Sequence, residues 1–568
     1  KRWNKEWYEP ILDLEQAIAM GSIFADAPAS APFATHIWKI TRPGSRFDWM
    51  TPKKDPLDRR IVNRTGSVDG RSCQIVESTQ INGGQAHFYM EPQACIALPA
   101  DERRIIMKPS TQSPMEMHAT TAMALGIEYH RIDVQVPAVG GGFGGKTEQA
   151  RFVTGPTAVA AYSTKQPVRV AVPREEDTIM IGKRHAYYGQ YQIAVDRGLT
   201  NSRDKGIIRG FQTKMYGDGG AFYDCSFIVS NCIQLRADNA YNITNFENQL
   251  DVCRTNTAPS TAMRAFGDVQ GKNIIENAID DAAFSIGMRP EVLREKNFYD
   301  RGDVTPFGQA LSYCYMKDVW DYLKKVSEYD KKWAAVQKYN KENRWRKRGL
   351  GMIPVKYGSG YNFVQIEQAA AIISINQGDG SVIIHQGGIE MGQGLTTQIV
   401  QVASYVLNVP MEMIYVEGTR TSVTPHPTST GGSTGTTYNG TAVKRTCEQL
   451  TSRLMEFAYD MLKENGPAYC KQQHIDFWNY GQQGWAAEIV TKVGDKEVKK
   501  LIWQYLVQLA YSKRVNLIAS FTAPIQGGTT PVPAMTFKSA KDQPVIPGIE
   551  LSQSDPIFGA VDSFVGFT

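Results

Sequence analysis

The sequence predicts an α+β protein. Two patterns carry that prediction: alternating strand signals punctuated by glycine turns dominate residues 60 to 270, and stretches with apolar residues at helical spacing lie between them. A third observation, 50 Gly and 28 Pro among 568 residues, implies many turns and tight loops. At about 150 residues per domain, this length gives a prior of roughly three to four folded units and material for more than one core.

Taken in order, Tyr8 to Ile18 reads as a Pro-bounded strand end followed by a short helix. Ser78 to Ala86 then leads into His87-Phe88-Tyr89-Met90, Cys95 to Leu98 follows, and Arg131 to Val136 alternates with period two. Pro114 to Leu125 and Asn273 to Ile286 predict helices. From Tyr315 to Arg348 the pattern is helical and basic, ending in Arg344-Trp345-Arg346-Lys347-Arg348, which reads as a solvated helix end. Strands resume at Gly351 to Val355, so this stretch is the best boundary between two halves. Leu450 to Lys513 predicts a polar helical region before the final strands. The chain has no initiator Met and closes on the apolar run Ile557 to Thr568, so both ends are expected to be cuts through structure.

Net charge is +5, a small excess with both signs interspersed, which gives nucleic acid binding no support. No apolar run reaches the ~18 residues that cross a bilayer, so no membrane partner is expected. The eight cysteines are scattered without a CxxC pair, which argues for reduced thiols in an intracellular compartment, cytoplasmic or peroxisomal. Neither His nor Cys clusters with metal-ligand spacing.

The sharpest local feature is Gly140-Gly141-Gly142-Phe143-Gly144-Gly145-Lys146, five glycines in six positions after a strand. Glycine permits positive φ and close backbone approach, and successive amides can form an anion nest. The strand–turn–helix context of a dinucleotide fingerprint is weak here. A second loop, Gly387 to Leu395, ends a strand and opens a helix near Thr396. A third, Ser429 to Gly435, leads into a helix near Asn439 to Leu450, and helix N-termini of this kind bind phosphate. Together the loops suggest a large, polar, phosphate-bearing cofactor.

With Gly83 to Glu91, Ser110-Thr111-Gln112 and Thr255-Asn256-Thr257 through Ala262 to Gly267, the Gly140 to Lys146 and Gly387 to Leu395 loops form five motifs in one order. The combination resembles the molybdenum-cofactor-binding portion of the xanthine dehydrogenase and aldehyde oxidase family. The resemblance implies a two-part molybdopterin-binding domain with the cofactor at the interface of the subdomains. Residues 1–20 would end a truncated hammerhead domain, 21–314 form the first subdomain, and 315–568 form an incomplete second one. It implies a molybdopterin held by backbone and glutamines, with no protein residue bonded to molybdenum. Gln85 would hydrogen-bond an oxygen ligand of the metal, with Phe143 also nearby. The amides of Gly142, Phe143, Gly144 and Arg264 would contact the cofactor, as would Gly392 and Gln393, and Gly432, Ser433 and Gly435 would complete the cradle. Phe266 would pack on a flat substrate ring.

The implied reaction is hydroxylation of an aldehyde or N-heterocycle with oxygen from water. FAD and two [2Fe–2S] clusters are expected outside this chain, and a homodimer is implied. The family's Gly-Glu motif near the end of the domain is not found before Thr568, so the chain is expected to be catalytically incomplete. Xanthine-oxidising members carry a glutamate where Thr147 stands, with Glu148 one residue later. They carry an arginine where Cys232 stands, four residues before Arg236. These differences tilt the expectation toward an aldehyde-oxidase-like specificity. Xanthine oxidation remains the alternative within the family, and a non-catalytic relative retaining the fold is the alternative outside it.

Overall fold

A computed structural model describes residues 9–24, 37–50, 55–361, 367–472, 488–493, 496–524, 549–551 and 565–567. Most of the apolar close expected over 557–568 lies outside them, as do the first eight residues. The backbone groups into two units that do not follow sequence order. Of the described residues, those up to His87, from Ile179 to 361, and in the last two short strands form the first. Residues Phe88–Thr178 and 367–524 form the second. The stretches 21–314 and 315–568 therefore each contribute to both units.

The first unit is built on a seven-stranded sheet ordered Ile549–Leu551, Ile37–Thr41, Asn245–Cys253, Ile208–Asp218, Tyr187–Asp196, Arg71–Asn82, Val62–Val68. Its pairs are antiparallel except Asn245–Cys253 on Ile208–Asp218. A parallel pair needs a crossover, and this one contains helix Ser226–Gln234. Helix Asp268–Ser285 lays Ile274, Ile275, Ala278, Ile279 and Ala282 into the core, the i, i+3, i+4 pattern of a buried stripe. It starts five residues before the expected Asn273, because Gly267 turns the chain at φ 78° and sets the N-terminus there.

The expected strand at 351–355 is a correction: the strand is Lys356–Gly358. Pro354 has no N–H for a ladder, and its carbonyl instead accepts from Asn239 Nδ2 at 2.9 Å, while Asn239 Oδ1 takes the Lys356 amide. The basic stretch before it forms helices Met316–Val326 and Tyr329–Glu342.

The second unit holds a five-stranded sheet ordered Thr419–Arg420, Ile132–Val136, Arg104–Pro109, Ala94–Ala100, Val168–Ala171. It also holds a four-stranded sheet ordered Ile414–Val416, Val382–Gln386, Gln368–Ile375, Ile518–Pro524. Helix Pro114–Leu125 follows its sequence signals, with Pro114 in the first turn and Gly126 left-handed after the end. Helices Leu395–Leu407, Gly435–Gln472 and Ile502–Ser512 supply the apolar layer on the four-stranded sheet. The helical region expected from Leu450 to Lys513 is interrupted: Glu488–Val493 pairs with Lys496–Leu501 as a hairpin. The β-branched run Ile489-Val490-Thr491 and the intervening Gly494-Asp495 are its sequence signal.

Candidate functional site

All three glycine loops belong to the second unit, and hydrogen bonds join them. The amide of Val139 donates to Glu390 O at 2.9 Å, linking the first loop to the second. Thr430 links the second to the third: its Oγ1 accepts from the Ile389 amide at 2.9 Å. Gln112 bridges the first and third, accepting from the Gly144 amide at 2.9 Å and donating to Thr430 O at 2.8 Å. Gln112 is buried, so these bonds face little competition from water. A Cβ on Gly142 would run into the Gln112 amide, which is why glycine is required there.

The backbone at these loops is strained where a side chain is present. Phe143 takes φ 54° between Gly141 at 88° and Gly144 at 99°, and Ser433 takes 61° after Gly432 at 58°. Left-handed conformations of non-glycine residues persist only where the surroundings enforce them, and they concentrate at binding sites.

Charge sits under the first loop. Lys146 Nζ is wholly buried and donates to Glu91 Oε2 at 3.1 Å and Ser110 Oγ at 2.8 Å, with its ammonium 4.5 Å from the Tyr89 ring centroid. Burial pushes the Lys146 pKa down, against the pull of Glu91. Burial would raise the Glu91 carboxyl, but the Gly140 amide, Ser110 and Lys146 together hold it below its ordinary value. Under the second loop Glu390 accepts from the amides of Gly392, Gly394 and Thr396, at 2.8, 3.1 and 2.9 Å. These bonds outweigh its desolvation and keep it ionised at the start of helix Leu395–Leu407.

The remaining candidates lie in the first unit. Gln85 is exposed, and its Oε1 accepts from Arg184 Nε at 2.6 Å. Arg184 also donates to the carbonyls of Met263 and Arg264, at 3.1 and 2.8 Å, tying Gln85 to the 263–267 turn. Phe266 is half-buried against that unit's core, and Arg264 is exposed. Cys232 is fully buried in helix Ser226–Gln234, beneath Gly267.

Several side chains do other work than expected. The Gly144 amide, expected to face a cofactor, is taken by Gln112, whereas the amides of Gly142 and Phe143 donate to no group among the described residues. Gln393 is folded back on its own loop, accepting from the Met391 amide at 2.7 Å and donating to Ile389 O at 2.8 Å. Thr147 Oγ1 donates to Gly144 O at 2.8 Å and closes the loop. Glu148 is ion-paired with Arg151, and Arg236 with Asp268, so neither stands free in place of Thr147 or Cys232. Sequence reasoning did not single out Arg184, Glu390, Glu91 or Thr430, whose partners lie far away in sequence or in the backbone.

Among the described residues, no group of three His, Cys, Asp or Glu side chains could hold a metal ion. The donors present are the uncommitted amides of Gly142 and Phe143, while Gly392 and Gly394, whose own amides go to Glu390, leave their Cα open to close approach. That set fits a pterin bearing phosphate and carbonyl oxygens, which needs close backbone approach and directed N–H groups.

Comparison with known proteins agrees. Two family models, each described as a molybdopterin cofactor-binding domain, match residues 58–298 and 322–538. The chain is 37% identical over 393 residues to the xanthine dehydrogenase/oxidase of Gallus gallus, covering 69% of this chain and 28% of that protein. It is 36% identical over 407 residues to aldehyde oxidase 2 of Macaca fascicularis, covering 72% and 29%. The chain thus spans less than a third of these relatives. Among solved structures, the aldehyde oxidoreductase of Desulfovibrio gigas superposes with a TM-score of 0.65 at 22% identity, covering 91% of this chain and 49% of the other. Quinoline 2-oxidoreductase of Pseudomonas putida 86 gives 0.67 at 19%, covering 91% and 62%. These last two show the shared fold. The five motifs and the two domain matches place the chain in the xanthine dehydrogenase/aldehyde oxidase family, as its molybdopterin-binding portion.

Proposed function

We propose that this chain is the cofactor-holding portion of a molybdenum hydroxylase acting on aldehydes or N-heterocycles. The observation that carries the reading is the joining of three glycine loops by Gln112, Thr430 and the Val139–Glu390 bond. When bound, the molybdenum cofactor supplies the two-electron chemistry that places an oxygen from water on an electron-poor carbon. The residues' own parts follow from their donors. Gly142 and Phe143 offer amides, Gly392 and Gly394 let the backbone come close, and the Ser429 to Gly435 loop offers helix N-terminal amides. Gln85 offers its amide from the first unit. Phe266 would pack on a flat substrate ring, a contact worth about 0.5–1.5 kcal/mol beyond its area.

The specificity we favour is aldehyde-oxidase-like. Thr147 spends its hydroxyl on the loop and Cys232 is buried and uncharged, while Glu148 and Arg236 are each paired elsewhere. A purine loses two charged anchors, each worth about 1.5–3 kcal/mol. Sequence identity does not separate the two specificities, since relatives of both names match equally well. FAD, two [2Fe–2S] clusters and a second copy of the chain belong to the full-length protein in this reading, in the cytoplasm or peroxisome. Metal analysis of that protein should find about one molybdenum per chain, and rates on an aromatic aldehyde should exceed those on xanthine. Absence of both molybdenum and pterin would return the chain to the non-catalytic alternative.

A further inference from the structure

Arg184 is unusual among the buried cations of this chain. It is 6% exposed, and among the described residues no carboxylate is paired with it. Other buried cations have such partners: Arg236 has Asp268, Arg294 has Glu276, and Lys356 has Asp238. A buried charge without a counterion is costly and is retained where something else answers it.

Its guanidinium donates to three neutral oxygens, Gln85 Oε1, Met263 O and Arg264 O. Its backbone amide also holds Gln85 O, at 3.0 Å. Gln85 is therefore gripped at both its carbonyl oxygens by one residue. With Oε1 facing the guanidinium, the amide has one orientation, because the flipped form would set N–H against N–H. The outward end of Gln85 is then an NH2 group, a donor and never an acceptor. The guanidinium polarises that amide and makes its N–H groups stronger donors.

We infer that Arg184 is a positioning residue that turns Gln85 into a charge-backed donor, selecting an oxygen bearing lone pairs or negative charge in the ligand it faces. This deepens the proposed function and rests on it for the identity of that ligand. Burial also depresses the Arg184 pKa without a carboxylate to oppose it.

The test uses the full-length holoprotein with Arg184→Met, Arg184→Lys, Gln85→Ala and the double variant Gln85→Ala/Arg184→Met. Arg184→Met should slow turnover by about tenfold or more at unchanged molybdenum content, and shift the paramagnetic resonance signal of the partly reduced metal. Arg184→Lys, which keeps the charge, should recover part of that loss. In the Gln85→Ala background, Arg184→Met should add less than about threefold, because the two act as one unit. Equal losses in both backgrounds, or an unmoved resonance signal, overturn the inference while leaving the proposed function standing. A second measurement needs no cofactor: Gln85→Glu gives Arg184 a carboxylate and should raise the thermal midpoint, and an unchanged or lowered midpoint overturns the inference on its own. A holoprotein without molybdenum defeats the proposed function, and the Gln85→Glu result then decides the role of Arg184.

Discussion

Lys146 and Glu91 form an ion pair at 3.1 Å with only one solvated side: the ammonium is fully buried, while the carboxylate is 40% exposed. The two partners are therefore not equivalent. Glu91→Ala strands a buried cation and should cost about 3–5 kcal/mol. Lys146→Met removes the buried charge and leaves Glu91 with the Gly140 amide, Ser110 and water, at a cost below about 1.5 kcal/mol. Urea unfolding of both variants checks this, and equal losses would contradict the asymmetry.

Glu390 carries a pH dependence. Its folded pKa lies below the unfolded value of about 4.3, because three amides outweigh its desolvation. Its contribution is then present at neutral pH and lost as pH falls through the folded pKa. Glu390→Gln should be less stable than the parent by about 1.5–3 kcal/mol at pH 7, with the gap closing toward pH 3. Chemical denaturation at a series of pH values measures it.

His185 also loses stability on acidification, but because burial favours its neutral form rather than its charged one. Fully buried with Nε2 2.7 Å from Ser226 Oγ, it is pushed by desolvation down to about 3. The unfolded chain takes up a proton near 6.5 that the folded chain refuses, so stability falls on acidification between these values. In that window His185→Gln should flatten the slope of stability against pH by about 1.4 kcal/mol per unit.

Gln112 and Gly142 form a matched pair. Gln112→Ala leaves the Gly144 amide and the Thr430 carbonyl unpaired, and should cost about 1–3 kcal/mol for each group kept from water. Gly142→Ala pushes a methyl against an intact Gln112. Both should lower the molybdenum recovered with the full-length protein. A metal content equal to the parent's in both would detach this bridge from cofactor holding.

Local signals were readable wherever the chain obeys a short-range rule. Pro114 and Gly126 bracket a helix as their backbone preferences demand, and the five glycines of the first loop announce close approach of its backbone. Ser110-Thr111-Gln112 was legible as a motif, though not the bridging role of Gln112. Long-range pairings left no periodic trace: Arg184 reaches back 99 residues to Gln85, and Lys146 reaches 55 to Glu91. The self-folded arrangement of Gln393 is hidden from the sequence for a related reason. A glutamine beside a ligand and one folded onto its own loop look alike in sequence, because the difference lies in which carbonyl is nearer.

The Gln112 bridge also imposes a timetable on synthesis. Its two ends are 318 residues apart. At roughly 5–20 residues per second, Thr430 leaves the ribosome about 15–60 s after Gln112. Throughout that interval the nascent chain carries a glycine loop whose closing contacts have not been translated. Loading of a pterin onto the joined loops must therefore wait until the chain has been made at least as far as Thr430.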